Sequence, residues 1–302
     1  MCSSDLGLAE SSSDVVVGGL LQAKDHNQRT LDFGAINKDG KVGRYVLDKS
    51  MELKLIPNEK AWHSLHKGTA IPSRKGILEV DHASVIYLDD KGKRFRLPIN
   101  PGYLKPGSLG FGRLCREVAT ERDLFNCHGT FFELPAENAG GFSMIRPVST
   151  HNLKIKDYCS YRGLLVLSGI DMTRIGTNRN IIVSDDGKAA LWVGAIDDLW
   201  SLGKPVGVGA VWKEDKVMAG KYSDPYLMTG YDKKSLLLAS SNTTKISVEV
   251  DISGMGDWHV FKEFHLKAGE EIKYKFPPSF QAYWIRFITD AETTATVMLT
   301  YE

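Results

Sequence analysis

Asn180-Ile-Ile-Val-Ser-Asp-Asp-Gly-Lys-Ala-Ala-Leu-Trp-Val193 decides how this chain is read. Two runs of β-branched and large apolar residues flank Asp-Asp-Gly. A glycine there supplies the positive φ that a tight antiparallel turn demands, so the stretch reads as a β-hairpin. The same punctuation recurs upstream. Lys38-Asp-Gly-Lys41 separates Leu31-Asp-Phe-Gly-Ala-Ile36 from Val42-Gly-Arg-Tyr-Val46, and Asp89-Asp-Lys-Gly-Lys93 separates Ala83-Ser-Val-Ile-Tyr-Leu88 from Arg94-Phe-Arg-Leu97. Two further strand pairs are predicted, residues 125–134 with 142–147 and residues 226–228 with 235–238. Few windows carry apolar residues at i, i+3, i+4 and i+7, and the best short helical exceptions are residues 60–67 and 118–125.

The fold class is therefore all-β. Hairpins recurring at roughly 40–50 residue spacing, with inexact repeats, suggest blades of a β-propeller, of which about four or five fit between residues 25 and 240. That is an incomplete ring, and a two-sheet sandwich is the structural rival. After residue 240 the texture changes. Lys245-Ile-Ser-Val-Glu-Val-Asp-Ile252 alternates strictly, as does Ala268-Gly-Glu-Glu-Ile-Lys-Tyr-Lys-Phe276 after its turn, so residues 241–302 are expected to form a small antiparallel β-sandwich. The domain reading is a leader at 1–24, a partial propeller at 25–240 and the sandwich.

The chain has 302 residues, of which 42% are hydrophobic and 25% charged, which excludes a disordered or fibrous protein. Net charge is +1 with both signs interspersed, which argues against a nucleic-acid partner. No apolar run approaches the ~20 residues of a membrane span. Met1-Cys-Ser-Ser-Asp-Leu6 resembles a translated sequencing-adapter fragment; the alternative is a native polar leader. Under the first reading a signal peptide would lie upstream, and a secreted or periplasmic location is expected. Cys115, Cys127 and Cys159 lack metal-ligand or redox spacing and read as small buried residues, although Cys115 and Cys127 could pair. Phosphate-loop, dinucleotide, zinc-protease and nucleophile-elbow motifs are missing, so no cofactor and no metal are called for.

Chemistry-bearing residues fall in two clusters. Along residues 113–162, His128, Glu133, His151, Asp157 and Tyr161 are candidate catalytic residues, while Arg146, Tyr158 and Arg162 are candidates for gripping substrate. Histidine moves protons near neutrality, arginine holds carboxylates through two bonds, and tyrosine stacks or donates. The structural alternative is an Asp157–Arg162 ion pair between blades and packed tyrosines. The second cluster is Asp197, Trp200, Trp212, Asp224 and Tyr226, a candidate sugar platform because aromatic faces stack on pyranose C–H bonds while carboxylates accept hydroxyl protons. Its alternative is blade-core tryptophans and turn aspartates.

The runs His128-Gly-Thr-Phe-Phe-Glu-Leu-Pro135, Asp157-Tyr-Cys-Ser-Tyr-Arg-Gly163, Ser184-Asp-Asp-Gly-Lys-Ala-Ala-Leu-Trp192 and Asp224-Pro-Tyr-Leu-Met-Thr-Gly-Tyr231 resemble stretches of uncharacterised bacterial proteins from polysaccharide degraders. The resemblance covers residues from about 25 to 302. It implies a secreted or periplasmic carbohydrate-active propeller, in the company of propeller glycoside hydrolases and polysaccharide lyases, with a C-terminal sandwich. No family's catalytic residues are carried over. The sialidase Asp-box, Ser-x-Asp-x-Gly-x-x-Trp, is approximated at Ser184–Trp192 with the wrong spacing.

The leading expectation is an enzyme acting on glycosidic bonds of a complex polysaccharide or oligosaccharide. A hydrolase needs two carboxylates in one pocket, drawn from Glu133, Asp157, Asp197 and Asp224, about 5–5.5 Å apart for retention or about 6.5–9.5 Å for inversion. A lyase would use His128 or His151 with Tyr158 or Tyr161, and Arg146 or Arg162 against a uronate. The alternatives are a non-catalytic carbohydrate-binding protein, with exposed tryptophans and no converging acids or histidines, and a protein-interaction propeller.

Overall fold

The computed structural model describes residues 7–23, 29–57, 77–89, 91–103, 109–119, 122–176 and 178–302. The adapter-like start at 1–6 and the helix expected at 60–67 lie outside the described residues. What is described is nearly all β, in five sheets. All three Gly-marked hairpins are present, with Gly40, Gly92 and Gly187 at φ of 114°, 79° and 69°.

The first sheet is a meander of Val16–Ala23, Leu31–Asn37, Gly40–Leu47 and Leu53–Leu55, with Ile170–Asp171 added on its outer side. Residues 7–23 are thus no loose leader: Leu8, Ala9, Val17 and Leu21 are buried. The second sheet runs Cys115–Ala119, Arg122–Cys127, Thr130–Pro135, Arg146–Thr150. The helix expected at 118–125 is therefore a strand hairpin instead, because Val118 and Leu124 turn to one core while Cys115 and Phe125 turn to the other. The third sheet is ordered Asp157–Tyr161, Leu164–Ser168, Ala190–Gly194, Ile181–Val183. These are antiparallel sheets with open edges.

Period-two alternation stacks the three sheets. Tyr158, Leu165 and Leu167 of the third sheet pack on Phe131, Leu124 and Val148 of the second. Cys159, Tyr161 and Val166 point the other way, onto Phe33, Tyr45 and Leu47 of the first. On the far face of the second sheet, Phe125, Phe132 and Leu134 join the largest core, shared with the two remaining sheets. The three cysteines of this region are buried free thiols, and Cys115 and Cys127 are not bridged.

The strand pairing does not follow a division at residue 240. One C-terminal sheet is Gly207–Val217, Thr293–Tyr301, Lys234–Ser240, Glu271–Lys275. The other has seven strands: Trp258–Leu266, Thr244–Asp251, Trp284–Thr289, Tyr226–Leu227, Arg94–Leu97, Val85–Leu88 and Ile77–Val80. Tyr226–Leu227 pairs with Trp284–Thr289 and, in parallel, with Arg96, not with residues 235–238 as expected. The sheets that carry residues 241–302 thus also contain strands from 77–97 and 207–240.

One close approach fixes how the second and third sheets meet. A Cβ on Gly112 would lie 1.9 Å from the Lys156 carbonyl oxygen, and the Arg113 N–H donates to that same oxygen at 2.9 Å. Gly112→Ala is expected to push the sheets apart and cost about 1–3 kcal/mol, as overpacking does. Denaturant unfolding checks it; an unchanged midpoint would mean that the contact yields freely.

Candidate functional site

The groove that brings together four of the candidate residues lies where the third sheet hands over to the second. After the strand Ala190–Gly194, a 3-10 helix runs Ile196–Leu202, and the Asp198 carboxylate accepts the Ala195 N–H at 2.8 Å to start it. With three residues per turn, side chains three apart eclipse. Leu199 and Leu202 share the buried face, while Asp197 and Trp200 share the wet one. Trp200 is 63% exposed, which is uncommon for so large an apolar side chain.

Beside this helix lies a face of the second sheet, to which all four of its strands contribute. Glu133 is paired across the ladder with Arg146, and the Arg146 guanidinium donates to its Oε2 from Nη2 at 2.6 Å and from Nε at 3.0 Å. Arg122 Nη1 lies 3.6 Å from Oε1 of the same carboxylate. Val118, Leu124, Val148 and Leu199 supply the apolar lining of a groove of about 200 Å3, which Glu133, Arg146, Asp197 and Trp200 also line. Four residues from two separate sequence clusters therefore meet in one place. Arg122 and Asp123 are groove residues that sequence reasoning missed, because residues 118–125 read as a helical window.

The other candidates are placed elsewhere. Asp157 is fully buried and serves as a hub: Arg113 and Arg116 form ion pairs with it, and the backbone N–H groups of Leu21 and Tyr158 donate to it, each at 2.8 Å. An ion pair between sheets does exist at Asp157, but with Arg113 and Arg116 rather than with Arg162. Arg162 sits at the tip of the Asp157–Tyr161 to Leu164–Ser168 hairpin at φ 53°. Tyr158 is buried with its hydroxyl 2.8 Å from the carbonyls of both Leu114 and Leu124, and the buried Tyr161 donates to the Arg29 carbonyl. Burial raises the Tyr158 hydroxyl pKa well above the ordinary phenol value, so it holds its proton. None of the Asp157, Tyr158 and Tyr161 side chains reaches a surface where substrate could bind.

His151 is also sealed in. Its Nδ1 accepts the Leu153 N–H at 3.2 Å, which leaves the proton on Nε2, 3.0 Å from Asn126 Oδ1. Burial pushes its pKa down to about 3. His128 occupies the turn between Arg122–Cys127 and Thr130–Pro135 at φ 47°, and borders a separate cavity of about 390 Å3 with His82, Asn100 and Tyr103. Burial lowers its pKa as well. His128 and Glu133 thus face different cavities. Trp212 and Asp224 line a third groove, described below, whereas Tyr226 is fully buried beside Tyr301. Among the described residues no group of three or more His, Cys, Asp or Glu side chains is placed to hold a metal ion.

No family model matches the chain, and no curated protein matches it. Among solved structures it shows likeness to a glycoside hydrolase family 43 arabinoxylan arabinofuranohydrolase from Bacillus subtilis, solved with cellotetraose, at 10% identity and a TM-score of 0.23 over 90% of this chain and 76% of that one. An exo-beta-1,3-galactanase from Phanerochaete chrysosporium gives 10% identity and a TM-score of 0.18 over 92% and 80%. PirA gives 14% identity and a TM-score of 0.19 over 32% of this chain and 84% of that one. Overlaps this shallow match strands and not a site, so the reading of the groove rests on its own residues.

Proposed function

We propose that the protein is carbohydrate-active and that its ligand, a polysaccharide or oligosaccharide, sits in the groove beside Trp200. The observation that carries this reading is an exposed indole next to the Glu133–Arg146 pair. An indole face stacks on the apolar C–H face of a sugar ring, and the flanking carboxylate and guanidinium groups accept from and donate to its hydroxyls. The groove is smaller than the roughly 300–1,000 Å3 of a drug-sized site, which suits one ring held at a time along a longer chain. A location outside the cytoplasm belongs to the same proposal. No helix of the described residues is long and apolar enough to cross a membrane.

Binding without catalysis fits the geometry best. Both oxygens of Glu133 already face guanidinium groups, and the histidines and tyrosines considered for proton transfer are buried or lie in another cavity. Trp200→Ala is expected to weaken binding of the preferred glycan at least tenfold, about 1.4 kcal/mol, without changing stability. Isothermal titration across a panel of plant and algal glycans measures it, and unchanged affinity in the variant would overturn the assignment.

A second reading is hydrolysis, favoured by the presence of Glu133 and Asp197 in the same groove. It requires the Glu133–Arg146 pair to open when substrate arrives. Reducing-end release by the wild type that disappears in Glu133→Gln, with binding retained, would select it; product absorbance near 235 nm would instead report elimination.

A further inference from the structure

A larger groove, of about 630 Å3, lies between Arg94–Leu97 and the end of Gly207–Val217. Its charge is unbalanced. Arg94, Arg96, Lys216 and Lys221 line it against only two carboxylates, Asp215 and Asp224. Asp224 is already neutralised, since Arg94 Nε and Arg96 Nε both reach its Oδ2, at 3.2 and 3.1 Å. Arg96 is largely buried and spends its Nη1 on Asp81 and Ser84, at 2.8 and 2.6 Å. Lys216 and Lys221 have no carboxylate partner among the described residues, and both are exposed. With Asp215 as the remaining carboxylate, the excess positive charge rests on the two exposed lysine ammonium groups.

The wall is built in advance. The segment between Val217 and Tyr226 is pinned to Trp284–Thr289: Gly220 N–H donates to the Thr289 carbonyl at 2.8 Å, Ser223 N–H to the Phe287 carbonyl at 2.9 Å, and Phe287 N–H to Ser223 Oγ at 3.0 Å. Two bulges interrupt Gly207–Val217 just where it enters the groove, and Glu214, the extra residue of the second, stands at φ 60°. Bulges of this kind re-aim side chains and cluster beside functional sites, and a non-glycine residue held at positive φ costs about 1–3 kcal/mol that the surroundings must offset. Tyr222, 44% exposed, and Met218, 61% exposed, add apolar surface. The Arg286 guanidinium sits 3.7 Å from the Tyr222 ring centre and holds that ring in place.

We propose that this groove is a second ligand site, for the charged groups of an anionic glycan. Carboxylate or sulfate substituents would pair with Lys216, Lys221 and Arg94, while the sugar ring rests on Met218 and Tyr222. The site stands on residues separate from the Trp200 groove and does not depend on that assignment. Carboxylate and sulfate share this recognition chemistry, since each presents several acceptor oxygens to ammonium and guanidinium donors.

Affinity electrophoresis of the full chain tests it, with polygalacturonate, a sulfated galactan, an uncharged galactan and duplex DNA as probes. The expected result is retardation by one or both anionic glycans, weakened at least tenfold in Lys216→Ala/Lys221→Ala and retained in Trp200→Ala. Which anionic glycan responds distinguishes carboxylate from sulfate. Equal retardation of the double variant and the wild type would overturn the proposal. So would retardation by neither anionic glycan, or a lysine-dependent response to DNA as strong as to the glycans, which would mark the groove as a general polyanion surface. Loss of binding in Trp200→Ala alone would place the ligand in the other groove.

Discussion

Asp157→Asn is expected to cost about 3–5 kcal/mol, enough to unfold much of the protein at ordinary temperature. The substitution keeps the shape and removes the charge. Two guanidinium groups then face a neutral amide whose N–H donors point at them or at the backbone N–H groups of Leu21 and Tyr158. Arg113 and Arg116 are only 18% and 23% exposed, so water compensates them in part. Arg116 also donates to the carbonyls of Leu21 and Tyr158, both at 2.9 Å, so the first, second and third sheets loosen together. Circular dichroism in urea measures the loss. Adding Arg113→Met to Asp157→Asn is expected to recover part of the loss, because one of the two unpaired guanidinium groups is removed while the amide Oδ1 still accepts a backbone N–H. A stable Asp157→Asn protein that has merely lost ligand binding would contradict the structural role.

Acid is expected to destabilise the protein through His151. The folded-state pKa is pushed down to about 3, from an ordinary value of 6.5, because the ring is buried. In the unfolded chain the same ring takes up a proton below about pH 6.5. The unfolded state therefore binds more protons across the window from about 6.5 down to about 3, and stability falls as pH falls through it. At pH 4.5 the loss amounts to about 3 kcal/mol from this residue. His128 acts in the same direction, since burial lowers its pKa too. Urea midpoints measured at several pH values would show the slope, and His151→Gln should flatten it even if that variant is less stable throughout. Parallel profiles for the two proteins would exclude the imidazole as the cause.

The features legible in the sequence are those whose physics is local. A turn needing positive φ leaves its mark in four or five residues, and the hairpins at Gly40, Gly92 and Gly187 were readable for that reason. Strand partners far apart leave no such mark. Tyr226–Leu227 is too short to show which neighbour it wants, and its partners at Arg96 and Ile285 are identified only by the assembled core. The helical window at 118–125 misled because a hairpin with both faces buried can mimic a period near 3.6.

At the site, polarity was visible and satisfaction was not. Asp157, Tyr158 and His151 look like reactive groups in the sequence, yet each has its partners inside the fold: two arginines, two backbone carbonyls, and Asn126 with the Leu153 N–H. The sequence offers Trp200 and Asp197 as a candidate sugar platform, Arg146 as a candidate substrate grip and Glu133 as a candidate catalytic carboxylate. What joined them was the 3-10 helix Ile196–Leu202 lying beside the face of a sheet from another part of the chain.

The sheet that unites strands from 77–97 with strands from 226–289 also bears on how the molecule comes into being. Arg96 must find Tyr226, 130 residues later, before the hairpins at 77–97 have a lasting place to rest. Closing so long a loop early is entropically costly, and topologies dominated by distant pairings fold in milliseconds to seconds rather than microseconds. During that interval the edge of Arg94–Leu97 is an open template for any passing strand. Refolding yield should therefore fall as protein concentration rises, with aggregation competing against the late arrival of Tyr226.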